Sequence, residues 1–126
     1  MLFRSRPVLR RVHLAQLGVA LRDQILQLPD GVLHAAAHVT GGGIIENLPR
    51  VLPDGLEADV AWGSWPEPPV FELLRAQTDA TEQDLRSTFN LGVGMVLVVP
   101  PALAERAIAH ASGLGSAAFP IGVVRA

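Results

Sequence analysis

The sequence contains no cysteine and no lysine; its ten basic residues are all arginine. Without cysteine there is no disulfide framework, no thiolate nucleophile and no cysteine-based zinc site. Nothing in that composition points to secretion, so a cytoplasmic address is the expectation. Without lysine there is no Walker lysine, no Schiff base and no serine–lysine dyad. Charge is scarce as well, at 17% of 126 residues, and a net charge of −2 with a pI near 6.0 lacks the basic footprint of a nucleic-acid-binding domain. No apolar run reaches the roughly 18 uncharged residues of a membrane span, because Arg22, Asp23 and Asp30 interrupt the N-terminal stretch. What is present is a chain of one-domain length, 49% hydrophobic with a mean hydropathy of +0.33, able to bury a substantial core.

Arg4, Arg6, Arg10 and Arg11 precede apolar residues, which raises a targeting peptide as a possibility. His13 and Gln16 interrupt the apolar stretch and no small-residue cleavage site precedes Arg22-Asp23, so a solvated helix start fits better. Leu9, Val12, Leu17, Leu21, Ile25 and Leu28 recur at spacings of three to five, which predicts an amphipathic helix over residues 8–28. Gly18 weakens that helix; a short strand over 19–21 feeding a helix over 22–28 is the alternative. Pro29-Asp30-Gly31 closes either element with a turn.

Residues 32–39 read as a strand, Thr40-Gly41-Gly42-Gly43 as a glycine turn, and residues 44–51 as a short helix stopped by Pro53 and Gly55. Residues 57–62 alternate polar and apolar as a half-buried strand does, and Pro66, Pro68 and Pro69 lead into a helix over 70–77. Thr81 with Asp84 three residues on is a capping-box pattern. The unbroken Met95-Val96-Leu97-Val98-Val99 predicts a strand buried on both faces, central in the sheet. Pro100 and Pro101 start a helix through His110 that Gly113 and Gly115 end, and residues 119–124 are the last strand. Strands alternate with helices, so the class is α/β or α+β, with helices packed on a mixed sheet.

Three consecutive glycines between a strand end and a helix start leave backbone N–H groups uncovered and favour an anion, a phosphate in particular. A tight turn alone is the competing explanation. His38 stands two residues before the glycines, and an imidazole suits proton transfer, although a lone histidine is more often structural. His34 falls on the same strand face; no nearby Asp, Cys or third histidine completes a metal site. Asn47 and Arg50, one turn apart, can share a face on which Arg50 clamps a phosphate; a solvated Glu46–Arg50 pair is the alternative. Asn90-Leu91-Gly92-Val93-Gly94 is a second glycine-bearing loop, permitting close approach to a ligand or forming a β-bulge. Trp62, Trp65, Pro66 and Phe71 read as a packed loop rather than an interaction surface.

Taken together, Ala37-His38-Val39-Thr40-Gly41-Gly42-Gly43, Glu46-Asn47-Leu48-Pro49-Arg50-Val51-Leu52-Pro53, Gly63-Ser64-Trp65-Pro66 and Thr88-Phe89-Asn90-Leu91-Gly92-Val93-Gly94-Met95 closely resemble the C-terminal domain of the phosphoribosylformylglycinamidine cyclo-ligase (AIR synthetase) family. The resemblance covers residues 32–124, with 19–126 as the related domain and 1–18 an unmatched N-terminal extension. It implies a three-layer α/β/α, partly ferredoxin-like fold. The activity it implies is an ATP-dependent ring closure in purine biosynthesis. There the formyl oxygen of formylglycinamidine ribonucleotide is activated by phosphoryl transfer, and an amidine nitrogen closes the imidazole.

By the same resemblance, Thr40, Gly41, Gly42 and Gly43 contact phosphate, His38 orients or protonates the reacting group, and Asn47, Arg50 and Asn90 line the substrate crevice. ATP and Mg2+ fall to an N-terminal domain that also carries the dimer interface and has no counterpart in this chain. The family's usual Pro-Thr-Arg-Ile-Tyr opening is absent. The resemblance therefore implies half of a homodimeric enzyme, inactive alone, with no nucleic-acid or membrane partner. Two other readings are a phosphate-ligand binding module and a subunit of a related superfamily member such as formylglycinamidine synthetase, selenophosphate synthetase or thiamine-phosphate kinase.

Overall fold

The run from Met95 to Val99 buries every side chain, and the remaining strands assemble around it. In a computed structural model, residues 33–126 are described in full and residues 11–15 through their backbone pairing. The strands are β1 (Arg11–Ala15), β2 (Ala35–His38), β3 (Glu57–Val60), β4 (Met95–Val99) and β5 (Ala118–Arg125). The helices are α1 (Gly43–Asn47), α2 (Val70–Gln77), α3 (Glu82–Thr88) and α4 (Ala104–Gly113), with 3-10 turns at Pro49–Val51 and Pro101–Leu103.

The five strands form one sheet in the order β2-β4-β1-β5-β3. A mixed sheet was the expectation; among the described strands every pairing is antiparallel. The reason is directional. The pairings require β1, β2 and β3 to run one way and β4 and β5 the other, and the two sets interleave, so no strand lies beside one of its own direction. β4 lies inside the sheet between β2 and β1, while the middle position belongs to β1.

Arg11–Ala15 corrects the helix expected over residues 8–28. These residues pair with β4 on one side, Leu14 opposite Val96, and with β5 on the other, Leu14 opposite Phe119. A strand flanked by two ladders gains backbone hydrogen bonds along both edges, and that outweighs a loose three-to-five spacing. The sheet thus takes in residues ahead of 19. The strand-or-helix alternatives for 19–28, the turn at 29–31 and the targeting motif lie outside the described residues apart from this strand.

Alternation along β4 divides the core between the two sheet faces. Val96 and Val98 join Ala37, Ile121 and Val124 beneath Ile44, Leu48, Phe71 and Leu85, so α1, α2 and α3 cover one face. Met95, Leu97 and Val99 face Ala104 and Ala107 of α4 on the other. The result is the three-layer α/β/α arrangement. Trp65 and Phe71 are buried and Trp62 half-buried, which makes the aromatic cluster a packed loop. The capping box forms: the Thr81 hydroxyl accepts from Asp84 N–H at 3.1 Å, and Asp84 accepts from Thr81 N–H at 2.8 Å.

Candidate functional site

Because β2 and β4 are antiparallel, the end of β2 lies beside the start of β4, with His38 opposite Met95. The glycine turn that follows β2 and the loop that precedes β4 are therefore neighbours. Val39 N–H donates to Gly94 O at 2.9 Å and joins them directly. The two glycine-bearing motifs, 48 positions apart at Gly42 and Asn90, occupy one end of one sheet.

The turn is held from within. Gly42 and Gly43 adopt φ of 94° and 64°, left-handed values that other residues rarely take, and Gly43 N–H donates to Thr40 O at 3.1 Å. Asn47, 6% exposed, aims its carboxamide back at the turn. Its Nδ2 donates to Gly43 O at 2.8 Å, to Gly41 O at 3.2 Å and to Thr40 O at 3.4 Å, while its Oδ1 accepts from the Thr40 hydroxyl at 3.3 Å. Gly43 is buried against the last turn of α3, beside the carbonyls of Arg86 and Phe89. Gly41 is exposed and Gly42 half-buried, and neither N–H has a partner among the described residues.

The second loop is braced from outside. Asn90 Oδ1 accepts from Gly92 N–H at 2.9 Å, and Val93 N–H donates to Asn90 O at 2.9 Å. Leu91, fully buried, sits at φ 52°, the one non-glycine residue with positive φ among those described. Its carbonyl accepts from the Trp65 indole at 3.0 Å, and Pro68 packs on Gly92. Trp62 lies tilted against Trp65, ring centroids 5.8 Å apart, and the Arg86 guanidinium lies 4.6 Å from the Trp62 centroid.

The charged residues around the turn are arranged less simply. Glu46 folds back so that its carboxylate lies over Gly42, at the mouth of the turn. Arg50 lies 3.9 Å from that carboxylate, both side chains largely in solvent, so the Glu46–Arg50 pair is present. Asn47 and Arg50 do not share a face, because α1 ends at Asn47 and Arg50 falls in the 3-10 turn behind it. The crevice position expected for Asn47 is not where its side chain lies: it is turned into the protein. His38 is exposed, on the strand face opposite Ala37, and makes no hydrogen bond to the turn among the described residues.

Other acidic side chains among the described residues are engaged. Arg75 pairs with Glu82 at 2.6 Å and with Glu67 at 2.9 Å, and its hydrogen bond holds the Glu82 carboxyl below the ordinary range. Asp84 is held low by Thr81, and Asp59 pairs with Arg125. No cluster of three His, Asp or Glu side chains exists among the described residues, so those residues do not fit a magnesium site. A groove of about 530 Å³ flanks α1 on its far side, lined by Ile44, Ile45, Leu48, Leu56, Val60 and Trp62. None of the expected site residues lines it.

Sequence reasoning missed the tie between Thr40 and Asn47, the Glu46 carboxylate over Gly42, and the Trp65 brace under Leu91. The first had a signal: a hydroxyl and a carboxamide flanking a glycine run, residue types that bond local backbone groups.

Residues 10–126 match the family model described as "AIR synthase related protein, C-terminal domain". The chain is 47% identical over 97 residues to the phosphoribosylformylglycinamidine cyclo-ligase of Shouchella clausii, covering 77% of this chain and 28% of that one. It is 49% identical over 89 residues to the enzyme of the same name from a Geobacillus species, 71% of this chain and 26% of that one. Against that of Methylobacillus flagellatus it is 41% identical over 124 residues, 98% of this chain and 36% of the relative. The chain thus spans about a quarter to a third of the length of these relatives.

Proposed function

The chain belongs to the AIR synthase related C-terminal domain family, and from that premise we propose that it supplies the substrate-holding half of a phosphoribosylformylglycinamidine cyclo-ligase. Its task is to hold formylglycinamidine ribonucleotide by the phosphate end while the imidazole ring closes. The observation that carries this reading is the pair of unpartnered amides on Gly41 and Gly42, at a sheet end where two glycine loops meet. Rigid N–H donors need no reorganisation when an anion arrives, which makes them effective phosphate ligands.

In this reading Thr40, Gly41 and Gly42 contact the phosphate, with Gly43 fixing the turn behind them. Arg50, one short side-chain rotation from Glu46, exchanges that carboxylate for the incoming anion. The exposed imidazole of His38 takes up or returns a proton at the amidine or formyl group, and Asn90, fixed by its own loop, faces the ribose side. ATP and Mg2+ fall to an N-terminal half, a separate domain or chain, whose union with this one completes a homodimeric cytoplasmic enzyme. No helix among the described residues is long and apolar enough to cross a membrane.

Calorimetry tests the reading. Formylglycinamidine ribonucleotide titrated into the purified chain gives a saturable heat, absent with the dephosphorylated riboside, and the chain alone shows no turnover with ATP. Equal heats from ribotide and riboside refute the phosphate assignment; turnover by this chain alone refutes the division of labour. Once an N-terminal half restores activity, His38→Ala lowers kcat with little change in KM, and unchanged kcat removes His38 from the chemistry.

A further inference from the structure

Asn47 is the one buried polar residue among those described, and its side chain is committed to the turn that precedes its helix. Both amide protons go to carbonyls of the turn and its oxygen takes the Thr40 hydroxyl. The consequence follows from peptide geometry. In a trans peptide, the C=O of one residue and the N–H of the next point in opposite directions. Drawing Thr40 O and Gly41 O inward therefore turns the N–H groups of Gly41 and Gly42 outward, and these are the two without partners. Drawing Gly43 O inward does the same to the N–H of Ile44.

We infer that Asn47 is a positioning residue: by gathering three carbonyls on its carboxamide, it aims the amides of residues 41 and 42 at a phosphoryl group. It acts through the turn and touches no ligand. This rests on the phosphate reading above, and it replaces the crevice-lining role that the resemblance implies for Asn47.

The test is a titration of the ¹⁵N-labelled chain with inorganic phosphate, followed at the Gly41 and Gly42 amide resonances. Asn47→Asp keeps the side-chain shape and replaces the donating nitrogen with an oxygen facing carbonyls. It weakens phosphate binding about tenfold or more at neutral pH, a loss of donor orientation comparable to one buried hydrogen bond. A purely structural role predicts unchanged affinity in the fraction of the variant that remains folded. Positioning predicts that the deficit relative to wild type narrows as pH falls, because the introduced carboxyl, its pKa raised by burial among carbonyls, regains a proton and donates again. Asn47→Ser, which keeps a donor too short to span the turn, serves if the first variant does not fold.

Wild-type shifts at Gly41 and Gly42 with weakened binding in a folded variant, and the narrowing deficit, support the inference. Wild-type shifts with unchanged affinity in both variants overturn it and leave the phosphate reading standing, as does a deficit that stays constant with pH. No shift in the wild type at any tolerated phosphate concentration overturns both.

Discussion

A single methyl group on Gly43 tests whether the turn is defined by packing. Gly43 is buried at φ 64°, and a Cβ there collides with the Arg86 carbonyl and lies 2.7 Å from the Phe89 carbonyl. Two costs combine in Gly43→Ala. A side chain in the left-handed region costs about 1–2 kcal/mol. Pushing the last turn of α3 away from α1 costs about 1–3 kcal/mol, since both obstacles are backbone atoms that no rotamer change can move. The expected loss is about 2–5 kcal/mol, a fall in Tm of roughly 8–20 °C at about 4 °C per kcal/mol for a chain of this size. Gly41→Ala is the control: nothing lies within 4 Å of its Cβ, so the cost stays near 0.5 kcal/mol. Urea titrations and thermal melts of both variants decide it. Equal losses would refute the packing argument, and a Gly43 variant as stable as wild type would show that α1 and α3 are not in register at this contact.

Trp65→Phe removes the indole donor and leaves the buried Leu91 carbonyl unpaired, lowering stability by about 1–3 kcal/mol in urea titrations; an unchanged midpoint would show that the indole does not brace the loop. Thr81→Ala removes the capping box of α3 and costs about 1 kcal/mol, read from the same midpoint. Acid sensitivity follows from two depressed carboxyls: Glu82, held low chiefly by its hydrogen bond from Arg75, and Asp84, held low by Thr81. A folded pKa below the unfolded value gives stability that is complete above the ordinary carboxylate values of 4.5 and 3.8 and is lost as pH falls through the lowered ones. Melts between neutral pH and about pH 2 show the fall, and Asp84→Asn makes it shallower; the same slope in that variant would remove Asp84 from the account.

Most elements were legible because their signals were local. The unbroken apolar run of β4, the alternation of β3, the Thr81–Asp84 box and the proline entry to α2 each owe their structure to residues within a few positions. β1 was not legible, since Arg11–Ala15 is a strand only because β4 and β5 flank it, and both partners lie 80 or more residues downstream. The direction of the sheet was illegible for the same reason. Alternating strands and helices suggest parallel crossovers, but here helices connect strands that are not sheet neighbours.

The site divides along the same line. Glycine content identifies where backbone can face a ligand, and the motifs 40–43 and 90–94 stand out without any structure. That they lie side by side depends on the Val39–Gly94 hydrogen bond, a product of strand register that neither motif encodes alone. The division of labour within the first motif is likewise a matter of direction rather than residue type. An asparagine on the first turns of a helix can point outward to a ligand or back to the turn before it. Here the turn presents carbonyls at Thr40, Gly41 and Gly43 toward the helix, and the buried Asn47 amide donates to all three, joined at Thr40 by the Gly43 N–H. The polar group that looks most like a ligand thus hydrogen-bonds the turn before it, and the amides of Gly41 and Gly42 in that turn are left without a partner among the described residues.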